Sequence, residues 1–259
     1  MPATQKLTVT YLHHSGFMVQ SHDKLLLFDF YCDPQRPEER QKNVACVADA
    51  IRDPAVRHVY VFASHNHRDH FDPVILTFDQ YGKPVTWVFS SDIPVGQAQA
   101  HVHRFDPDSQ AAIDDLAIRT FASTDAGVAF LVQTDGISLF HAGDLNWWYW
   151  SDESTAEECA EYERDFKTIM AQVEAWPVDV AFFPVDPRLK DYANHGGAWF
   201  IDKLKPAFFF PMHFGYAYGT TDHFRDQIAQ SHPDVTVLTI QRQRQTYALE
   251  IPKRPYPPR

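Results

Sequence analysis

Three histidines and an aspartate fall within the six residues His65 to His70, directly after the apolar run Val59-Tyr60-Val61-Phe62-Ala63. A short, apolar, β-prone run of this kind reads as a buried strand. The fold must therefore be one in which a core strand delivers its polar end to a site. Residues two apart in an extended segment project to the same side, so His65 and His67 address one position. The turn that follows lets Asp69 and His70 address a second position nearby. Neutral imidazole with carboxylate oxygen is the donor mixture that Zn²⁺, Mn²⁺ and Fe²⁺ accept. Asp72-Pro73 then reads as an N-cap followed by proline at the first helical position, so the cluster bridges a strand end and a helix start.

Two other apolar runs end in the same residue types. Asp135-Gly136 is a hairpin-turn signal between Val128–Val132 and Ile137–Phe140, and the second strand delivers His141-Ala142-Gly143-Asp144. Ala207-Phe208-Phe209-Phe210 enters Pro211-Met212-His213. Alone, an aspartate after Ala-Gly is a turn residue and a histidine after a strand a hydrogen-bonded one. Beside the first cluster both read as metal ligands, because strand ends on one rim of a sheet converge. Val180 to Phe183 likewise enters Pro184-Val185-Asp186, which places Asp186, Arg188 and His195 in loops on that rim, where they can meet substrate. His195 and Asp69 are the catalytic candidates. Arg188 either receives a phosphate or carboxylate or is a solvated surface residue. Trp147 and Trp148, with Tyr149 and Trp150, form either a wall for an apolar or ring-shaped substrate or a subunit interface.

The remaining chain interleaves strands and helices. Leu7 to Leu12 alternates as a half-buried strand, Phe17 to Gln20 is a second extended stretch, and Lys24 to Phe30 returns as an apolar strand, so the start reads as a β-meander. Val44, Val47, Ala48 and Ile51 mark an amphipathic helix stopped at Asp53-Pro54. Lys83 to Gln133 reads as short strands and turns, Ala156 to Trp176 as a long amphipathic helix. Helices around Trp199 to Leu204 and Phe224 to Ile228 and a strand Val235 to Ile240 close the chain, with a Pro-rich surface tail after Ile251. No repeat or linker marks a second domain, so residues 1–259 are expected to form one α/β (α+β) domain with two mixed sheets flanked by helices.

The net charge of -11 disfavours a nucleic-acid substrate, since phosphate backbones are gripped by clustered Lys and Arg. Cys32, Cys46 and Cys159 are too sparse for a disulfide framework or a cysteine zinc site. No signal pattern opens the chain and no apolar run suffices to span a bilayer. The expected setting is cytoplasmic, without membrane association, with a small-molecule substrate and scope for a homo-oligomer.

His65-Asn66-His67-Arg68-Asp69-His70, His141-Ala142-Gly143-Asp144 and Pro211-Met212-His213-Phe214-Gly215 together resemble the metallo-β-lactamase superfamily. Tyr11-Leu12-His13-His14-Ser15-Gly16-Phe17 and Asp29 are similar to the branch that holds ascorbate-6-phosphate lactonase. The resemblance implies an αββα sandwich over nearly the whole chain and one or two divalent metal ions. It makes His65 and His67 ligands of the first ion and Asp69, His70 and His213 ligands of the second, with Asp144 bridging. His14 and Asp29 either hydrogen-bond these ligands or are satisfied strand-end residues. The family's further histidine ligand is missing from Phe121-Ala122-Ser123-Thr124-Asp125-Ala126-Gly127. Asp125 either replaces it, hardening the site towards Mn²⁺ or Fe²⁺, or caps a turn and leaves the first position weak.

The implied activity is hydrolysis of an ester, lactone or phosphodiester bond in a small molecule. A metal-bound hydroxide attacks, the water's pKa having fallen to about 7, and Asp69 orients or accepts the proton. The alternatives are a nuclease of the same fold, an oxygen-reducing diiron relative, and a non-catalytic metal-binding or sensing protein whose first site is incomplete.

Overall fold

The computed structural model describes residues 4–95 and 101–253, so the tail beyond 253 lies outside the described residues. The chain divides into two compact units. The first comprises Met1–Asp106, Asp135–Ile137 and Arg242–Arg259; the second comprises Pro107–Thr134 and Ser138–Gln241.

In the first unit β1 (Thr4–His13), β2 (Gly16–Ser21) and β3 (Lys24–Phe28) form the antiparallel meander expected at the start of the chain. β4 (His58–Ala63), β5 (Val85–Ser90) and β6 (Val102–Phe105) extend the sheet in parallel. Parallel neighbours need crossovers. Helix α1 (Pro37–Arg52) joins β3 to β4, and a 3₁₀ helix, Pro73–Tyr81, joins β4 to β5. α1 reaches back beyond the Val44 of the amphipathic pattern to Pro37, with Glu38 and Glu39 in its first turn, where the helix dipole favours acidic side chains. Asp72 caps the 3₁₀ helix as its position suggested, accepting from the Val74 N–H at 2.9 Å. Leu25, Leu27, Val59 and Val61 pack with Val47 and Ile51 of α1 and with Ile75 and Phe78 of the 3₁₀ helix. On the other face Phe28 stacks on Phe62 with ring centroids 4.7 Å apart. Burial on both faces explains why β3 and β4 are continuous apolar runs.

The second unit carries the other seven-stranded sheet. Its antiparallel part is β7 (Gln110–Ile113), β8 (Leu116–Ala122) and β9 (Val128–Thr134). β10 (Ile137–His141) follows through the Asp135-Gly136 turn, where both φ values are positive, 54° and 82°, as a type I′ hairpin requires. α2 (Ala156–Val173), α3 (His195–Leu204) and α4 (Gly219–Ser231) alternate with β11 (Val180–Pro184), β12 (Phe208–Met212) and β13 (Thr236–Val237). β10 to β13 run parallel in that order. Phe183, Phe200, Phe209 and Phe224 fill the space between strands and helices. α3 comes close because Gly197 has no side chain: a Cβ there would lie 2.9 Å from the Phe224 ring.

Several boundaries differ from the sequence reading. The strand expected over Val235 to Ile240 shortens to β13, because the Ile240 N–H is taken by the Thr221 hydroxyl of α4 at 2.9 Å instead of a strand neighbour. His195 opens α3 rather than lying in a loop. β14 (Thr246–Pro252) was not expected at all. It pairs antiparallel with β1 at the edge of the first sheet and extends to Pro252, the residue at which the sequence reading began the tail.

Candidate metal centre

In the first unit the carboxyl ends of the parallel strands β3 and β4 carry Asp29 and Ser64-His65. Asp29, at φ 44° and fully buried, is tied to β4 by its N–H, which donates to the Phe62 carbonyl at 3.0 Å. Its Oδ1 accepts the Ser64 N–H at 2.7 Å; its Oδ2 accepts the Ser64 hydroxyl at 2.7 Å and faces His70 Nδ1 at 2.7 Å. An ionised carboxylate only accepts, so His70 carries its proton on Nδ1 and keeps its lone pair on Nε2. The single Ser64 proton is spent on Asp29, so Ser64 Oγ accepts from His65 Nδ1 at 2.9 Å. His65 is thereby left in the same tautomer.

His67 is exposed, and it offers a donor atom within 4.8 Å of one on His65. His14, Asp69 and His70 form another such group at the same spacing. His14 Nε2 lies 3.4 Å from Asp69 Oδ2. Burial pushes the Asp69 carboxyl up, but the His14 hydrogen bond and the charges of His70 and His14 outweigh it and hold the group well below the usual carboxylate range.

In the second unit β10, β11 and β12 are adjacent and parallel, and the segments after them carry Asp144, Asp186 and His213. Gly143 and His213 turn the chain with φ values of 55° and 67°. His213 Nε2 lies 3.3 Å from Asp144 Oδ1, and its Nδ1 lies 2.8 Å from Asp186 Oδ2. Asp186 is buried and also accepts from Arg188. Burial raises its pKa, yet the hydrogen bonds from His213 and Arg188 prevail and bring it down to about 2. Thr124 pins the Asp144 loop, donating to the Asn146 carbonyl at 2.7 Å and accepting the Asn146 N–H at 3.0 Å. Asp125, exposed, offers a carboxylate oxygen within 4.8 Å of one on Asp144. The position that lacks histidine thus brings a carboxylate beside Asp144.

The aromatic run after Asp144 divides. Trp148 is buried, donates its indole N–H to the Asp144 carbonyl at 2.9 Å and meets His213 edge-on at 5.4 Å. Trp147 turns away to stack on Phe166. Exposed His195 stands edge-on to Tyr192 at 4.9 Å, and burial of part of its ring lowers its pKa, which favours the neutral imidazole. α3 closes on this loop at Gly196, where a Cβ would sit 2.0 Å from Asn146 Oδ1 and 3.1 Å from the Trp147 nitrogen. Sequence reasoning missed Ser64 and Thr124. It took Asp186 for a substrate contact, whereas the carboxylate is engaged with His213 and Arg188. The available signal was that Asp186, like Asp144 and His213, follows an apolar strand.

The donors are imidazole nitrogens and carboxylate oxygens without thiolate or thioether, and hydrogen bonds to Nδ1 direct Nε2 of His65, His70 and His213 as ligands. This chemistry fits a borderline divalent ion. The model of the beta-lactamase superfamily domain matches residues 8–159, and the chain belongs to that family. Its fold is the metallo-β-lactamase fold. Among solved structures it resembles Igni18, a metallo hydrolase from the archaeon Ignicoccus hospitalis, at 16% identity and a TM-score of 0.62, over 94% of this chain and 98% of that one. YhfI of Bacillus subtilis, a metallo-β-lactamase fold protein, is similar at 12% identity and a TM-score of 0.59, covering 94% and 99%. CmlA of Streptomyces venezuelae, a diiron β-hydroxylase, is similar at 12% identity and a TM-score of 0.60, over 97% of this chain and 55% of that one. No curated protein sequence matches the chain. Among the described residues no helix is long and apolar enough to cross a membrane.

Proposed function

We propose that the chain is a metal-dependent hydrolase acting on an ester, lactone or phosphodiester bond of a small molecule. Its ligands for one or two divalent ions are His65, His67, Asp69 and His70 of the first unit and Asp125, Asp144 and His213 of the second. The observation that carries this reading is the gathering of imidazole and carboxylate donors, in each unit, behind the carboxyl ends of neighbouring parallel strands. His14 is a further donor beside Asp69 and His70. The nitrogen and oxygen set suits Zn²⁺, Mn²⁺ or Fe²⁺, and Asp125 in place of a histidine favours the harder Mn²⁺ or Fe²⁺ at the first position.

When bound, such an ion supplies Lewis acidity that makes water a competent nucleophile near neutral pH and offsets charge developing on an oxyanion. The residues themselves orient and exclude. Asp29 and Ser64 hold His70 and His65 with Nε2 as acceptor. Asp69, kept ionised by His14, is a weak base, so it orients a water proton by accepting its hydrogen bond rather than storing the proton. His195, neutral and exposed, is the group suited to carry a proton to or from a leaving group. Trp148 walls the His213 side against solvent. The net charge of -11 favours a small molecule over a nucleic acid. The likeness of the opening strand to the ascorbate-6-phosphate lactonase branch favours a lactone. The free thiols Cys32, Cys46 and Cys159 suit a reducing compartment such as the cytoplasm.

The test is metal analysis of protein purified without chelator, joined to a panel of phosphodiester, lactone and thioester substrates with added Mn²⁺ or Zn²⁺. Turnover is expected, and Asp144→Ala should lower it by more than the roughly 10- to 100-fold typical of losing a residue that merely supports a ligand. Bound metal with silence across the panel would replace the hydrolase by a metal-binding role.

A further inference from the structure

Asp186, Arg188, Trp150 and Trp148 close a ring of side chains with His213, all within the second unit. Asp186 Oδ2 lies 2.8 Å from His213 Nδ1, and Arg188 Nε lies 3.0 and 2.9 Å from the two Asp186 oxygens. The Arg188 guanidinium stands over the Trp150 ring, 5.6 Å from its centroid. Trp150 stacks on Trp148 at 5.8 Å with an interplanar angle of 5°, and Trp148 returns to His213 edge-on at 5.4 Å.

We propose that Arg188 is a positioning residue that acts through Asp186 to fix the tautomer and orientation of His213, and so sets how tightly one of the ions is held. This rests on the metal-dependent reading above. His213 Nδ1 lies 2.8 Å from Asp186 Oδ2 and 3.4 Å from Arg188 Nη2. A guanidinium has no acceptor and repels an added proton nearby, so the carboxylate is the partner that counts. Nδ1 donates to Asp186, and the His213 lone pair is fixed on Nε2, the atom 3.3 Å from Asp144 Oδ1.

A carboxylate this deeply buried is costly unless its charge and lone pairs are met. Arg188 meets them with four hydrogen bonds, since its Nη2 also donates to Asp186 Oδ2 at 2.5 Å and its backbone N–H to Asp186 Oδ1 at 2.9 Å. Lysine lacks the planar fork and would serve as a point charge only. Trp150 holds the guanidinium from the opposite side, where 61% of the Arg188 side chain remains exposed. That exposure makes Arg188 replaceable without opening the core, unlike Asp186.

The experiment uses the full chain, stripped with chelator and titrated with Zn²⁺ or Co²⁺ against a chromogenic chelator, with thermal unfolding of each metal-free variant as the folding control. Arg188→Gln should weaken one ion about 10-fold and leave the other nearly unchanged, and Asp186→Ala should weaken the same ion about 10- to 100-fold. Arg188→Lys should recover part of the loss, and the visible spectrum of bound Co²⁺ should shift in Arg188→Gln. The double variant should bind no worse than Asp186→Ala, because the arginine has no route to His213 once the carboxylate is gone. Additive losses, or an Arg188→Gln protein that binds both ions as the parent does, would overturn the assignment while leaving metal binding intact. If Asp186→Ala does not fold, the comparison of Arg188→Gln with Arg188→Lys decides. A parent protein that takes up no divalent ion removes the metal-dependent reading itself, and this assignment with it.

Discussion

The chemistry of each buried histidine follows from what its Nδ1 meets. His70 and His213 meet buried carboxylates. His13, also buried, faces the Gln243 amide at 3.3 Å and stacks on Tyr31 at 5.6 Å. Burial lowers its pKa to about 4; Asp33 and Glu39 pull it up and Arg36 pulls it down, and burial wins. A histidine with a folded pKa below its unfolded value binds its proton more readily in the unfolded chain. Its contribution is therefore complete above about pH 6.5 and is lost as the pH falls towards 4. Relative to His13→Gln, the metal-free protein should lose up to about 3 kcal/mol between pH 7 and pH 4, since each tenfold difference in proton affinity between the folded and unfolded chain is worth about 1.4 kcal/mol. Urea unfolding of both proteins at several pH values checks this, and parallel stability curves would contradict it. At this scale the sequence exposes ligands and hides their supports. His65, His67, Asp69 and His70 announce themselves by local spacing. Ser64 and Asp186 are ordinary residues until parallel register sets Ser64 beside Asp29 and Asp186 beside His213.

Most elements were legible because their apolar period is local and strong. The Val59 to Ala63 run became β4, the Asp135-Gly136 hairpin turned where its residues demand, and the Ala156 helix formed with a capping box between Thr155 and Glu158. β14 was not legible, since half of its face is exposed and its partner β1 lies at the other end of the chain. Its period only acquires meaning from the pairing, which puts Leu249 opposite Leu7 and buries Leu249 and Ile251 while Glu250 points outward. Ile251→Ala should therefore destabilise the protein by about 2–5 kcal/mol, as truncation of a buried aliphatic does. Glu250→Ala, which removes only a surface pair with Lys6, should stay within about 0.5 kcal/mol. Denaturant midpoints measured side by side distinguish the faces, and equal shifts for the two variants would mean that β14 does not hold this register.

For the molecule as a whole, the interleaving of strands and helices was enough to expect two mixed sheets, and the family match agrees. The division between units is hidden in the sequence because it cuts through a hairpin. Asp135 at the tip belongs to the first unit, where it accepts from Ser21 at 2.6 Å and Lys24 at 2.8 Å, whereas β9 and β10 from Ser138 onward lie in the second. Metal dependence turns that division into a measurable question. A ligand that binds only the folded state stabilises it by about 2.7 kcal/mol at one hundred times its Kd. Residues of each unit are proposed as ligands, so chelation should loosen each of them. The tryptophans alone would report mainly the second unit, since Trp87 lies in the first and Trp147, Trp148, Trp150, Trp176 and Trp199 lie in the second. Amide hydrogen exchange reads each unit separately. Removing metal should lower protection in β3 and β4 of the first unit as well as in β10 to β12 of the second, and Asp144→Ala should abolish the difference in β10 to β12. Unchanged protection in either unit would remove that unit's residues from the ligands.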